Sequence, residues 1–185
     1  RVWYPVGEGP FPLVLIVHGN HGMKDYSDPG YAYLGELLAS RGFFLTSVDE
    51  NVINGSIRQE SDARGWLLLE HLKVWEGWNE DPENPFYGLV DMSRIGIMGH
   101  SRGGEAVAVA ATINALPYYP DDATLKFDSG FDLGAVIAIA PVMGQYRPGG
   151  RFSKPHNINY FVFHGANDKD VSSFAGGSGQ YEQVT

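Results

Sequence analysis

Four apolar runs recur along the chain, at Leu13–Val17, Phe43–Val48, Arg94–Met98 and Ala135–Ala140, and a fifth follows at Tyr160–Phe163. None alternates with polar residues, so the pattern predicts strands covered on both faces of a parallel sheet. Helical spacing fills the intervals. Tyr33, Leu34, Leu37 and Leu38 repeat within 31–40, and Arg41-Gly42 then supplies a cationic last turn and a capping glycine. Leu68, Leu72 and Trp75 stand at i, i+4 and i+7 within 61–76, and an Ala/Val-rich stretch from Arg102 to Leu116 opens with Gly103-Gly104. Strand–helix alternation of this kind implies right-handed crossovers and a three-layer α/β/α sandwich around a mostly parallel sheet. No helical pattern follows the fifth run. Long connections at 79–92 and 117–130 are sites of surface excursion or of function. The second carries Tyr118 and Tyr119, which are substrate-binding candidates because they follow the helix that opens at position 102.

The length of 185 residues suits one domain, and no repeat, low-complexity tract or linker divides it. A formal net charge of -9 without any Lys/Arg run excludes the electrostatic footprint of a nucleic-acid binder. No apolar run is long enough to insert into a membrane. The absence of cysteine removes disulfides, thiolate metal sites and cysteine nucleophiles, while leaving the compartment open. No phosphate-loop, zinc-protease or dinucleotide fingerprint is present. Asp25, Asp28, Asp121, Asp122 and Asp128 lack the spacing of a calcium loop, so neither metal nor cofactor is expected. The first residue is Arg, which suggests a processed, engineered or partial chain.

Gly99-His100-Ser101-Arg102-Gly103 is a G-x-S-x-G sequence set between a buried strand and a helix rich in small residues. That setting makes it a nucleophile elbow: a serine hydroxyl is a poor nucleophile and must stand at a strand's carboxyl end, near a helix amino end, within reach of a base. The bland alternative is a tight strand-to-helix turn with an incidental serine. Gly99-His100-Ser101-Arg102-Gly103-Gly104 resembles the elbow of the α/β-hydrolase family, in particular its chlorophyllase-like, dienelactone-hydrolase-like and polyester-cleaving members. By that resemblance the runs at 13, 43, 94, 135 and 160 correspond to the third to seventh family strands. An α/β-hydrolase fold incomplete at both ends is then expected, without the first strands and without the last strand and helix.

The resemblance also assigns roles. Val17-His18-Gly19-Asn20-His21-Gly22 stands where the family has its His-Gly turn, so the oxyanion would be held by the backbone N–H groups of Arg102 and of this loop, with Asn20 first and His21 second. His21 is also a candidate to face substrate, and His18 is read as a brace for the loop. His164-Gly165-Ala166-Asn167-Asp168 matches the family's acid motif and makes Asp168 the triad acid; Asp170 competes, and an Asn-Asp turn that only caps the loop is the bland alternative. Family order is serine, acid, histidine. The six histidines, His18, His21, His71, His100, His156 and His164, all precede Asp168, so the base is expected outside this sequence, with His156 a poor stand-in. Arg102 could steer an anionic substrate or pair with Glu105, Glu50 or a nearby Asp. Glu50-Asn51 lies at the sheet edge where ligands bind. The expected activity is cofactor-free cleavage of a small or polymeric carboxylic ester by an acyl-enzyme route. A non-catalytic binding module on the same scaffold, or a lipase or peptidase, are the alternatives.

Overall fold

The computed structural model describes residues 1–54, 60–172 and 174–185. A six-stranded sheet runs in the order β1 (Val2–Trp3), β3 (Phe44–Val48), β2 (Phe11–Val17), β4 (Val90–His100), β7 (Leu133–Ile139), β8 (Tyr160–Phe163). β1 pairs antiparallel with β3; all other pairings are parallel. A separate hairpin joins β5 (Tyr118–Tyr119) and β6 (Asp122–Lys126) within the long 117–130 connection. The helices are α1 (Ala32–Ala39), α2 (Ser61–Glu80), α3 (Arg102–Asn114) and α4 (Phe174–Glu182). This is the mostly parallel, helix-flanked sheet of the α/β-hydrolase fold. No helix among the described residues is long and apolar enough to cross a membrane.

β3 is buried on both faces and β2, β4 and β7 are covered on the face toward α2 and α3, whereas the edge strand β8 leaves Phe161 and Phe163 exposed. Leu13, Leu15, Val17, Ile95, Ile97, Val136 and Ala138 share a buried core with Leu68, Leu69, Leu72 and Trp75 of α2 and with Ala106–Ala111 of α3. α3 is buried along nearly its whole length, which explains its run of small residues: they let it lie close to the sheet. On the opposite face, Val14, Gly96, Met98, Ala135 and Ile137 line an apolar groove of about 550 Å³ together with Leu34 and Leu38 of α1. β4 is longer than its apolar run predicts, since Val90 and Asp91 pair with Phe11 and Pro12 before a register shift. The helix α4 is a correction to the sequence reading, which saw none after Tyr160–Phe163. Its segment, Phe-Ala-Gly-Gly-Ser-Gly-Gln-Tyr-Glu, carries three glycines and no apolar period. It is held by tertiary contact instead: Tyr160 donates from its hydroxyl to Gln180 Oε1 at 2.7 Å.

Parallel pairing aligns the strand ends. Val17, Gly99, Ala138 and Val162 form one row across four strands, so the segments after β2, β4, β7 and β8 all emerge at the same sheet edge.

Candidate functional site

Ser101 occupies the turn between β4 and α3 with φ 57° and ψ -116°, a conformation that L-residues rarely adopt. Such strain costs about 1–3 kcal/mol and persists only where surroundings enforce it. Here they do. Ser101 N–H donates to Ile139 O at 3.0 Å, and Ser101 O accepts from Gly104, Glu105 and Val142. A Cβ at Gly103 would stand 2.5 Å from Val17 O and 2.7 Å from His18 O, so only glycine lets α3 start against the end of β2. A Cβ at Gly19 would stand 2.9 Å from Ser101 Cβ, which measures how tightly the loop after β2 passes the serine.

Ser101 lines a cavity of about 630 Å³, within the range of small-molecule sites. Asn20 and Arg102 line it with Ser101; Val142, Met143, Arg147 and Phe152 come from the segment after β7, and Asp170, Val171 and Ser172 from the segment after β8. Arg102 is the first residue of α3, on the turn whose N–H groups project toward a ligand at a helix amino end. Among the described residues, no side chain hydrogen-bonds Ser101 Oγ.

The loop after β2 is braced by a buried polar cluster. His18 is 1% exposed; its Nδ1–H donates to Gly19 O at 2.7 Å and its Nε2 accepts from Glu50 N–H at 3.0 Å. Burial holds its pKa below the ordinary value, so the ring is a neutral strut. The Arg64 guanidinium, fully buried, donates to Glu50 Oε2 at 3.1 Å, to Glu60 Oε1 at 3.1 Å, to Asn54 Oδ1 and to His18 O at 3.4 Å. Glu60 Oε1 also accepts from Arg102 Nη1 at 2.8 Å. Burial pushes the Glu50 carboxyl up to about 8 despite Arg64. Burial also opposes ionisation of Glu60, but the hydrogen bonds from Arg102 and Arg64 outweigh it and its pKa is lowered. Arg102 thus pairs with Glu60, an acid absent from the sequence-based alternatives.

A second buried acid shapes the other wall. Glu105, four residues after Ser101, accepts Gly144 N–H at 2.6 Å, Gln145 N–H at 2.8 Å, Tyr146 N–H at 3.3 Å and the Ser61 hydroxyl at 3.1 Å. Burial raises its pKa against the pull of these donors. Two of these buried charged groups carried a sequence signal: Glu105 interrupts an Ala/Val helix, and Arg64 stands at helical spacing from Leu68 and Leu72.

The remaining candidates are dispersed. Asp168 Oδ1 accepts the N–H groups of Asp170 and Val171, both at 2.9 Å, and so shapes the loop after β8. Asp170, not Asp168, lines the cavity. Asp168 is nevertheless close enough to the elbow to act on His100, whose pKa is lowered by burial and by His21 and is pulled back up by Asp168 and Asp170. His21 is exposed, with its ring 5.9 Å from that of His18. Tyr118 and Tyr119 do not line the cavity. Tyr119 packs on Trp66 and Phe127 and donates to Asp62 at 2.5 Å, and the hairpin leaves Tyr118 exposed, so neither ring reaches the wall that the sequence reading gave them. His156 is bonded to Thr185.

Among curated proteins, the chain is 32% identical over 112 residues to a bis(hydroxyethyl) terephthalate hydrolase of Streptomyces coelicolor, a match covering 60% of this chain and 32% of the relative. It is 28% identical over 160 residues to cutinase 2 of Thermobifida cellulosilytica, covering 80% of this chain and 56% of that one. It is 26% identical over 155 residues to chlorophyllase-1 of Citrus sinensis, covering 79% and 37%. The matched segments thus span between about a third and just over half of these relatives' length. The PET hydrolase-like family model matches residues 1–129, from β1 through the strained serine turn and the whole of α3, and the chain belongs to that family.

Proposed function

We propose that the protein is a serine carboxylic ester hydrolase working through an acyl-enzyme. Ser101 Oγ attacks the ester carbonyl, and its proton passes to a histidine supplied from outside these 185 residues and from there to the departing alcohol. The backbone N–H groups of Arg102 and Asn20 hold the oxyanion, and Asp168 orients the histidine. Water then repeats the sequence to release the acid. His21, exposed beside the same loop, contacts substrate at the rim. The observation that carries this reading is the strained backbone of Ser101 at the wall of the cavity. The names of the relatives, all ester hydrolases, support small or polymeric esters as substrates. The test is release of 4-nitrophenol from 4-nitrophenyl butyrate by the complete protein, with a burst matching enzyme concentration. Loss of the burst in Ser101→Ala is expected; turnover that survives this substitution refutes the reading.

A second reading, a non-catalytic binding module, is favoured by one observation: Ser101 Oγ meets no imidazole among the described residues. It predicts no turnover by the complete protein and no acyl adduct after incubation with ester.

A further inference from the structure

The segment after β7 is fixed to the elbow at two levels. Val142 N–H donates to Ser101 O at 3.2 Å, and Gly144, Gln145 and Tyr146 donate to Glu105 one helical turn farther on. The next residue is Arg147. Its guanidinium carbon lies 4.4 Å from the centre of the Phe152 ring, and a Cβ at Gly144 would stand 2.5 Å from Nη2. Gly144 has φ +87°, so the position suits glycine on both counts. The guanidinium is therefore held in a slot between a ring face and a bare Cα, on a loop registered to Ser101. Both Arg147 and Phe152 line the cavity of Ser101. Stacking occupies a face of the guanidinium and leaves its N–H edges, and Arg147 makes no ion pair among the described residues. The other cation of the cavity, Arg102, is committed to Glu60.

We propose that Arg147 determines specificity by binding a carboxylate of the substrate, so that the preferred esters are half-esters of dicarboxylic acids or esters of hydroxy acids, cleaved at Ser101. A planar fork meets a planar carboxylate through two parallel N–H···O bonds, and ring stacking keeps that fork aimed. This rests on the hydrolase reading above and extends it to a substrate class.

The test compares matched esters with the complete protein: 4-nitrophenyl hydrogen glutarate against 4-nitrophenyl valerate, and 4-carboxyphenyl butyrate against phenyl butyrate. In at least one pair, Arg147→Gln is expected to lower the charged-to-neutral ratio of kcat/KM by about tenfold, the size of one charge-assisted pair at a partly exposed site. Arg147→Lys recovers part of the loss, and Arg147→Glu inverts the preference. The native ratio falls as salt is raised, because screening weakens the pairing. Binding of N-butyl glutaramate, a non-hydrolysable half-amide, read by calorimetry, weakens by the same factor in Arg147→Gln and needs no turnover. Ratios unchanged in both pairs, or half-amide affinity unchanged by the substitution, overturn the proposal. Absence of turnover on every ester, with Arg147-dependent half-amide binding intact, would instead overturn the hydrolase reading alone.

Discussion

Replacing Arg64 with Met removes the centre of the buried cluster behind the loop after β2 while keeping most of the side-chain length. The guanidinium is 0% exposed, as is Glu50, and Glu60 is 2% exposed, so no water replaces the lost donors. Removing one partner of a buried ion pair costs about 3–5 kcal/mol; Glu60 keeps Arg102, and Glu50, with its carboxyl at about 8, is already mostly protonated at pH 7 and leaves little uncompensated charge, which puts the expected loss near 3 kcal/mol at that pH. For a chain of this length that is a drop in Tm of roughly 6–12 °C. The pH dependence is the sharper signature. The native Glu50 carboxyl sits at about 8, above its unfolded value, so native stability falls as pH rises toward 8 and this contribution is flat beyond it. Without Arg64 the carboxyl rises further and the fall continues. The gap between native protein and Arg64→Met therefore widens above pH 8 by up to about 1.4 kcal/mol per pH unit. Urea denaturation followed by tryptophan fluorescence at pH 6, 7, 8 and 9 measures both quantities. Adding Glu50→Gln to Arg64→Met removes the widening. A loss below about 1 kcal/mol at pH 7, with a constant gap from pH 8 to 9, would refute the reasoning, because it would mean that the cluster is hydrated.

Three further outcomes follow from the same geometry. Gly103→Ala drives a Cβ into Val17 O and His18 O, both backbone, and is expected to cost about 1–3 kcal/mol or more and to lower kcat through displacement of the loop carrying Asn20; chemical denaturation and steady-state kinetics read the two effects. Glu105→Leu leaves the N–H groups of Gly144, Gln145 and Tyr146 without their acceptor, so hydrogen exchange at these amides accelerates by about tenfold or more, whereas unchanged protection would show that the loop is held by other means. Because burial lowers the His18 pKa, its ring protonates below the ordinary histidine value in a nitrogen-15 NMR titration, with the proton of the neutral form on Nδ1; earlier protonation in the unfolded chain makes stability fall as pH drops through the unfolded value toward the folded one.

The parts of the fold legible in the sequence are those where burial acts on whole elements. Leu13–Val17 and Ala135–Ala140 read as two-sided strands because helices or neighbouring strands cover them, and the elbow reads as a turn because Gly103 has no room for a side chain. What escaped the pattern is held by contacts distant in sequence. β1 is two residues long and exists through pairing with β3, and α4 forms on glycines because Tyr160 and its neighbours receive it. The 117–130 connection closes into a hairpin whose β6 is exposed along its length, so no apolar period marks it. In the site, the serine and the glycine-rich loop were visible as motifs. The tie of Arg102 to Glu60 and the anchoring of the β7 segment by Glu105 join residues that no local spacing connects, and Arg147 meets Phe152 across the turn at Pro148–Gly150, which no periodic pattern marks.

The account stands on an activated hydroxyl at position 101. Treatment of the complete protein with a fluorophosphonate, followed by intact mass and peptide mapping, tests it most directly. The account predicts a single adduct, carried by the peptide containing Ser101 and lost in Ser101→Ala. A native protein that takes up no label, or a Ser101→Ala variant labelled to the same extent, would contradict it.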